Sequence, residues 1–344
     1  MTQRLPASTS GLWVLQSHSS VQLQDAGRFG GAAAGLTQGG AVDLTAARLA
    51  NALVGNHNSV TGPCPPVLEI TLGNAAFRAE QPLLLAVTGA AMPLLLNRQP
   101  VARYRTLLLQ AGDLLEIGYS RAGARAYLAV AGGFEAPLIC GSVATVLREK
   151  VGGPDGQGSA VTVGSLLPCQ PWRQADPQLS LPYHQHYHHH SIRALALVGG
   201  AQLDTLDPQL IRLLPQRLFR VTARSDRMGM LLGGEPLPVR AQSLYSEGIC
   251  LGAMQLPPNG LPIVMLNDHQ TIGGYPKTGA LSRGACEQIG QLMTGNLVRF
   301  YWLDAATAVL QERQRLLALQ LQLDHLAAQW VQAGDSTEIR QMGN

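Results

Sequence analysis

Lysine is nearly absent from this 344-residue chain: Lys150 and Lys277 are the only two among 25 basic residues. The polybasic patch that would grip nucleic acid or an anionic membrane is missing, and a formal charge of +3 supplies no strong field in its place. Aromatic residues make up 5%, so core volume must come from Leu, Val, Ile and Ala. The five cysteines, Cys64, Cys140, Cys169, Cys250 and Cys286, are odd in number and widely spaced. Neither a paired disulfide framework nor a CxxC metal site is visible, and a reducing compartment is the simplest setting. The N-terminus lacks the continuous apolar core of a signal peptide. The oiliest stretch, "LLLAVTGAAMPLLL", is broken by Thr, Gly and Pro and is too short for a bilayer span. The expectation is a cytoplasmic protein with no nucleic-acid or membrane partner.

Several catalytic signatures are missing as well. There is no GxxxxGK[ST] loop, so a Walker cradle for ATP is not in this chain. The glycine cluster "GGPDGQG" at 152–158 has no lysine and reads as a turn. No GxSxG elbow or HExxH pair occurs. Five histidines (His184, His186, His188, His189, His190) crowd a Pro- and Gln-rich stretch at roughly 168–191 that reads as an exposed linker. No acid or thiol joins them at ligand spacing, so no metal site is expected.

Glycine and proline, by contrast, are plentiful, at 38 and 21. They punctuate short apolar runs such as "VLEITL", "LLLAV", "AYLAV", "ALALV", "PIVML" and "LVRF" up to about residue 302. Runs of strand length between turn residues predict a mainly β protein with few short helices. One early helix is expected in "DLTAARLANALVG", capped by Asp43 and stopped by Gly55. The two halves echo one another in order: "QDAGRFGG", "VLEITLGN", "QAGDLLEIG", then "SDRMGMLLGG", "LPIVMLNDHQ", "MTGNLVRF". This predicts two related β-barrels, residues 1–185 with the linker at the end and 186–303, with a groove between them as the ligand site. Residues 304–344 read as an amphipathic helix. Its leucines at 310, 316, 317, 319, 321, 323 and 326 form a broad apolar face that either packs on the second barrel or docks a partner subunit.

Polar clusters punctuate the strand ends. Asp25 and Arg28 lie three apart in a glycine-bounded turn, where they either pair or present a charged fork to a carboxylate, and "SDRMG" at 225–229 repeats the arrangement. Gln255 stands inside an apolar strand and needs a partner there. The densest cluster is "NDHQTIGGYPK", residues 267–277. In it Asp268 and His269 are acid–base candidates, Gly273 and Gly274 admit unusual backbone or close ligand approach, and Lys277 is a point charge for a phosphate or carboxylate. A strained turn whose polar groups satisfy one another explains the same residues equally well.

Together, "SVQLQDAGRFGG", "GGAVDLTAARLANALVGN", "VLEITLGN", "AYLAVAGGF", "SDRMG" and "GAMQLPPNGLPIVMLNDHQTIGGYPK" resemble the 5-oxoprolinase C-subunit family over residues 11 to about 302. That family is also known as biotin-dependent carboxyltransferase or allophanate hydrolase subunit 2, and is similar to the carboxyltransferase part of urea carboxylase. The resemblance implies two cyclophilin-like β-barrels in one component of a bacterial 5-oxoprolinase, working with the A and B subunits of that enzyme. The complex opens 5-oxo-L-proline to L-glutamate while ATP, a co-substrate, becomes ADP and phosphate. An amide carbonyl is a poor electrophile, and phosphate transfer to its oxygen makes it hydrolysable, given cationic or amide donors around it. Carried onto this chain, the family pattern implies Lys277 and Asp268 as catalytic residues. It implies substrate contacts from Asp25, Arg28, Asp43, Asn51, Ser225, Asp226, Arg227, Gln255, Gln270, Thr271, Gly273, Gly274 and Tyr275. His269 receives no catalytic role. The alternatives are a urea or amide carboxyltransferase, whose biotin must ride on another polypeptide because this chain has no "MKM" segment, and a non-catalytic regulator that binds a protein like the B subunit.

Overall fold

Strand Arg125–Val130 is buried at every position because it has a core on each side. In the computed structural model, which describes residues 10–18, 20–56, 59–182, 192–239 and 245–342 with side chains through 333, its alternate residues part cleanly. Ala126, Leu128 and Val130 enter the core of the first β body, while Tyr127 and Ala129 pack beneath a helix. Leu83–Gly89 does the same, Leu83, Leu85 and Val87 facing one way and Leu84 and Ala86 the other. The unbroken apolar runs of the sequence are therefore two half-faces of period two, each with its own cover.

The fold is mainly β, as the short runs predict. Strands between residues 11 and 168 form two sheets around one core. A six-stranded sheet runs in the order Leu166–Pro168, Gly11–Ser17, Ala75–Ala79, Leu114–Ile117, Leu94–Leu96, Gln99–Val101. A five-stranded sheet runs Val21–Gln24, Val67–Thr71, Arg125–Val130, Leu83–Gly89, Thr106–Leu109. Pro100 and Pro168 sit on the two edge strands of the larger sheet, where a missing N–H costs least. Between residues 193 and 303 seven strands close into a barrel, sealed where Arg193–Gly199 pairs in parallel with Leu297–Leu303. A separate two-stranded ribbon, Glu247–Gly248 with Ile272–Gly273, stands outside that barrel.

Among the described residues are four α-helices: α1 (Leu44–Leu53), α2 (Pro208–Leu213), α3 (Arg283–Gly290) and α4 (Ala305–Met342). Asp43 caps α1 by accepting from Ala46 N at 2.9 Å, and Gly55, at φ +75°, lies just beyond its end. Helix α4 corrects two expectations. Its buried face is Ala308, Leu319, Leu323 and Leu326, whereas Leu310, Leu317 and Leu321 are exposed. That face also packs chiefly with α1 and the first body's outer core, not on the barrel alone. Trp330 donates to Ala52 O at 3.0 Å and meets Trp172 edge-on at 5.8 Å. The stretch read as an exposed linker is anchored on the first body at points as far as Leu181: Cys169 and Leu179 are buried, Trp172 N donates to Pro82 O and Leu181 N to Tyr104 O, while residues such as Gln170, Arg173 and Ser180 between them are exposed. The histidine tract lies outside the described residues.

Candidate active site between the two β bodies

The segment "NDHQTIGGYPK" divides into two halves that face different surroundings. Its first half docks on the first β body. Asn267 donates through Nδ2 to Gly39 O and Ala41 O and accepts from Gly39 N through its backbone oxygen. Asp268 receives two hydrogen bonds from Arg227, Nε to Oδ2 at 2.9 Å and Nη2 to Oδ1 at 2.8 Å. The same guanidinium donates to Glu69 Oε1 at 2.5 Å and to Gly40 O at 2.8 Å, so one arginine of the barrel joins both bodies. Glu69 is further held by Tyr127 OH, Val42 N and the guanidinium of Arg125, whose Nε is 3.5 Å away.

Two carboxylates and two guanidiniums thus share a dry site without net charge. Burial works to raise Glu69, but Arg227, Arg125 and the donors on its oxygens outweigh it and hold Glu69 below its ordinary range. At Asp268 burial wins, helped by the negative charge of Glu69, and the carboxyl is pushed above its ordinary range despite Arg227. Arg227, facing both acids, is raised. Neighbouring His269 is buried, which lowers its imidazole, and its Nδ1 lies 2.6 Å from Gln270 O. An N–H on Nδ1 donating to that carbonyl is the consistent tautomer.

The second half of the segment borders a cleft of about 730 Å³. Ala32 and Ala33 of the first body form one wall; Gly199–Gln202 and Gly279–Ala280 of the barrel, with the ribbon residues Glu247–Ile249 and Thr271–Ile272, form the rest. Lys277 enters this cleft. Its Nζ is 3.0 Å from Glu247 Oε1 and 3.0 Å from Gly248 O, and its backbone N donates to Gln202 Oε1 at 2.8 Å. Gln202 also donates to Glu247. Lys277 and Asp268 therefore have different partners: Glu247 is the carboxylate beside the lysine, and Asp268 belongs to the arginine network.

Gly273 has an ordinary negative-φ backbone, and its lack of a side chain serves packing: a Cβ there would stand 2.5 Å from Ile249 Cδ1 and 2.9 Å from Gln255 Nε2. Gln255 is buried beneath it, opposite Lys277 in the strand register, and its Nε2 has no partner among the described residues. Thr271 lines the cleft, Gln270 supplies the carbonyl beside His269, Gly274 lies in the loop after the ribbon, and Tyr275 is half exposed.

The remaining predicted residues are occupied elsewhere. Asp25 accepts from Gly27 N, Ser142 Oγ and Val143 N and so ties two loops of the first body together. Arg28 donates to Ile139 O and Ala144 O, with Nη1 buried and without a partner among the described residues. Asn51 is sealed between Ala47, Cys64, Pro65 and Asn56. Ser225 and Asp226 bind backbone groups of their own turn. Asp43 caps α1 and accepts from Gln291 Nε2, on the rim of a second, polar cleft of about 340 Å³ with Glu287 and Arg315. Sequence reasoning missed Glu69, Gln202 and Asn267. Glu69 carried a readable signal, a lone acid inside the apolar run "VLEIT", which a buried strand tolerates only with a partner charge.

Residues 34–302 match the family described as carboxyltransferase domain, subdomain A and B. The chain belongs to that family. It is 32% identical over 307 residues to the C subunit of the 5-oxoprolinase of Escherichia coli (strain K12), covering 88% of this chain and 96% of that one. It is 31% identical over 304 residues to the C subunit of the 5-oxoprolinase of Haemophilus influenzae, covering 83% and 89%. The solved structure of the Kluyveromyces lactis urea amidolyase superposes on 94% of this chain with a TM-score of 0.80 at 23% identity, which shows a shared fold. This chain spans 20% of that larger one. Among the described residues no helix is long and apolar enough to cross a membrane.

Proposed function

We propose that this protein is the C subunit of a cytoplasmic 5-oxoprolinase that opens 5-oxo-L-proline to L-glutamate with hydrolysis of ATP, acting together with the A and B subunits. The observation that carries this reading is the match to two 5-oxoprolinase C subunits along nearly their whole length. The inter-body cleft supports it in kind. Among the described residues its charged groups are one ammonium and one carboxylate, Lys277 and Glu247. That equipment suits a small ring with one negative charge, whereas a triphosphate calls for several cationic side chains or a bound metal ion. The nucleotide is accordingly assigned to the assembled complex and the lactam to this cleft, with Thr271, Gln202 and Lys277 as the polar groups that orient it.

Reconstitution with the partner subunits tests the reading. Glutamate and ADP must appear together and only when 5-oxoproline and all three subunits are present. The second reading, a carboxyltransferase step on urea or a related amide, draws on the 26% identity to the Saccharomyces cerevisiae urea amidolyase, of which this chain covers 16%. It requires bicarbonate and a biotin carried by another polypeptide, and dependence on either replaces the first reading. Tight binding to a partner like the B subunit without turnover replaces both with a regulatory role.

A further inference from the structure

The carboxylate that sits on Lys277 is the most easily displaced group in the cleft. The lysine is rooted in barrel strand Lys277–Leu281 and its side chain is 17% exposed, while Glu247 is 49% exposed and rides on the ribbon outside the barrel. The ammonium is the more enclosed partner, and the acid is the more open to solvent. An ion pair with one partner half in solvent contributes little, so turning Glu247 outward costs little. Gln202 holds both parties: its Oε1 accepts from Lys277 N, and its Nε2 donates to Glu247.

We propose that Glu247 is an internal stand-in for the carboxylate of the ligand. A small cyclic monocarboxylate enters the cleft, its carboxylate replaces that of Glu247 on Lys277 Nζ and Gln202 Nε2, and Glu247 turns into water. No covalent bond changes and one negative charge replaces another. Gly199, Gly200, Ala201, Gly279 and Ala280 supply walls of backbone and methyl groups against which a flat ring can lie closely. The inference rests on the 5-oxoprolinase reading, whose substrate is a five-membered lactam bearing one carboxylate, and it gives Lys277 the work of holding that group.

Calorimetric titration of the full chain, alone and with its partner subunits, tests the exchange. Three probes separate the chemistry: 5-oxo-L-proline, cyclopentanecarboxylate, which has the acid without the lactam, and 2-pyrrolidinone, which has the lactam without the acid. Glu247→Gln removes the competitor and is expected to bind both carboxylates roughly fivefold more tightly than the wild type. Lys277→Met is expected to lose about tenfold or more for both. The affinity for 2-pyrrolidinone stays the same in all three proteins. Unchanged or weaker carboxylate binding in Glu247→Gln overturns the proposal, as does the absence of carboxylate binding throughout. Because Glu247 is on an exposed ribbon, misfolding does not excuse that result. Cyclopentanecarboxylate affinities that follow the expected order, beside a complex that makes no glutamate from 5-oxoproline, keep the subsite and remove the 5-oxoprolinase reading. ATP-dependent glutamate release with one KM for 5-oxoproline in all three proteins does the reverse.

Discussion

Arg227 and Asp268 face each other through two side-by-side hydrogen bonds, and the same guanidinium reaches across to Glu69 of the other β body. The turn that leads into the cleft is therefore anchored at its root by a charge network contributed by both bodies. This side chain joins the two bodies together with Asn267 and Gln291, which bridge them as well.

Arg227→Met leaves Glu69 and Asp268 buried without their shared cation. A broken buried ion pair costs about 3–5 kcal/mol, so the urea midpoint of this variant falls well below that of the wild type. Asp268→Asn costs less, because burial already pushes that carboxyl above its ordinary range and a neutral amide gives up less there. Equal urea midpoints for the two variants contradict this ranking.

Gly273→Ala drives a methyl group against Ile249 Cδ1 and Gln255 Nε2. Overpacking of this kind costs about 1–3 kcal/mol, and here the ribbon is the part free to yield. The expected outcome is a modest loss of stability with a larger loss of 5-oxoproline-dependent activity in the reconstituted complex. An activity loss no greater than the stability loss explains places the ribbon outside the working site.

His269 makes stability fall as the pH drops below about 6.5. Burial lowers its imidazole from the ordinary 6.5, so the unfolded chain takes up the proton first. Its contribution is complete above about pH 6.5 and is lost as the pH falls from there through the folded value. Glu69, also lowered, behaves in the same sense below 4.5. Asp268, raised, runs oppositely: its contribution is present at low pH and lost as the pH climbs from 3.8 through its folded value. The difference between urea midpoints at pH 7 and pH 5.5 should shrink in His269→Gln, and an unchanged difference removes His269 from the account.

Arg315 of α4 donates to Thr45 of α1 at 2.7 Å and pairs with Glu287 of α3 at 3.1 Å, while Glu312 accepts from Gly284 N and from Arg315. Trp330 closes the other end against Ala52 and Trp172. Trp330→Ala should destabilise the chain by about 2–4 kcal/mol, toward the lower part of the range for large-to-small aromatic losses because the ring is partly exposed. Arg315→Ala should cost about 1–3 kcal/mol by removing the nearer cation from the buried carboxyl of Glu287, which keeps Arg283 at 3.6 Å and the hydroxyl of Thr45. Thermal unfolding of each variant, with Leu317→Ala on the exposed face as the near-neutral control, measures both.

Much of this architecture was legible in the residues. Asp43 and Gly55 bracketed α1 because a side-chain cap and a left-handed exit are local chemistry, and the apolar runs announced strands for the same reason. The face that α4 buries was not legible. Leucine at 310, 317 and 321 is as apolar as leucine at 319, 323 and 326, and only the position of α1, set by distant contacts, decides which row is covered. The clustered polar segment borders the cleft, and the two residues that the resemblance grouped as catalytic have different partners: Glu247 lies beside Lys277, and Arg227 beside Asp268. The turn motifs around Asp25 and Asp226 turned out to bind backbone, which a glycine-rich turn needs regardless of function.

The path of α4 orders events during synthesis. Its buried leucines and Trp330 complete the outer cover of α1, although 278 residues of chain separate Trp330 from Ala52, roughly a dozen seconds or more of translation at ordinary rates. Until α4 is made, the first β body carries an uncovered apolar seam along α1.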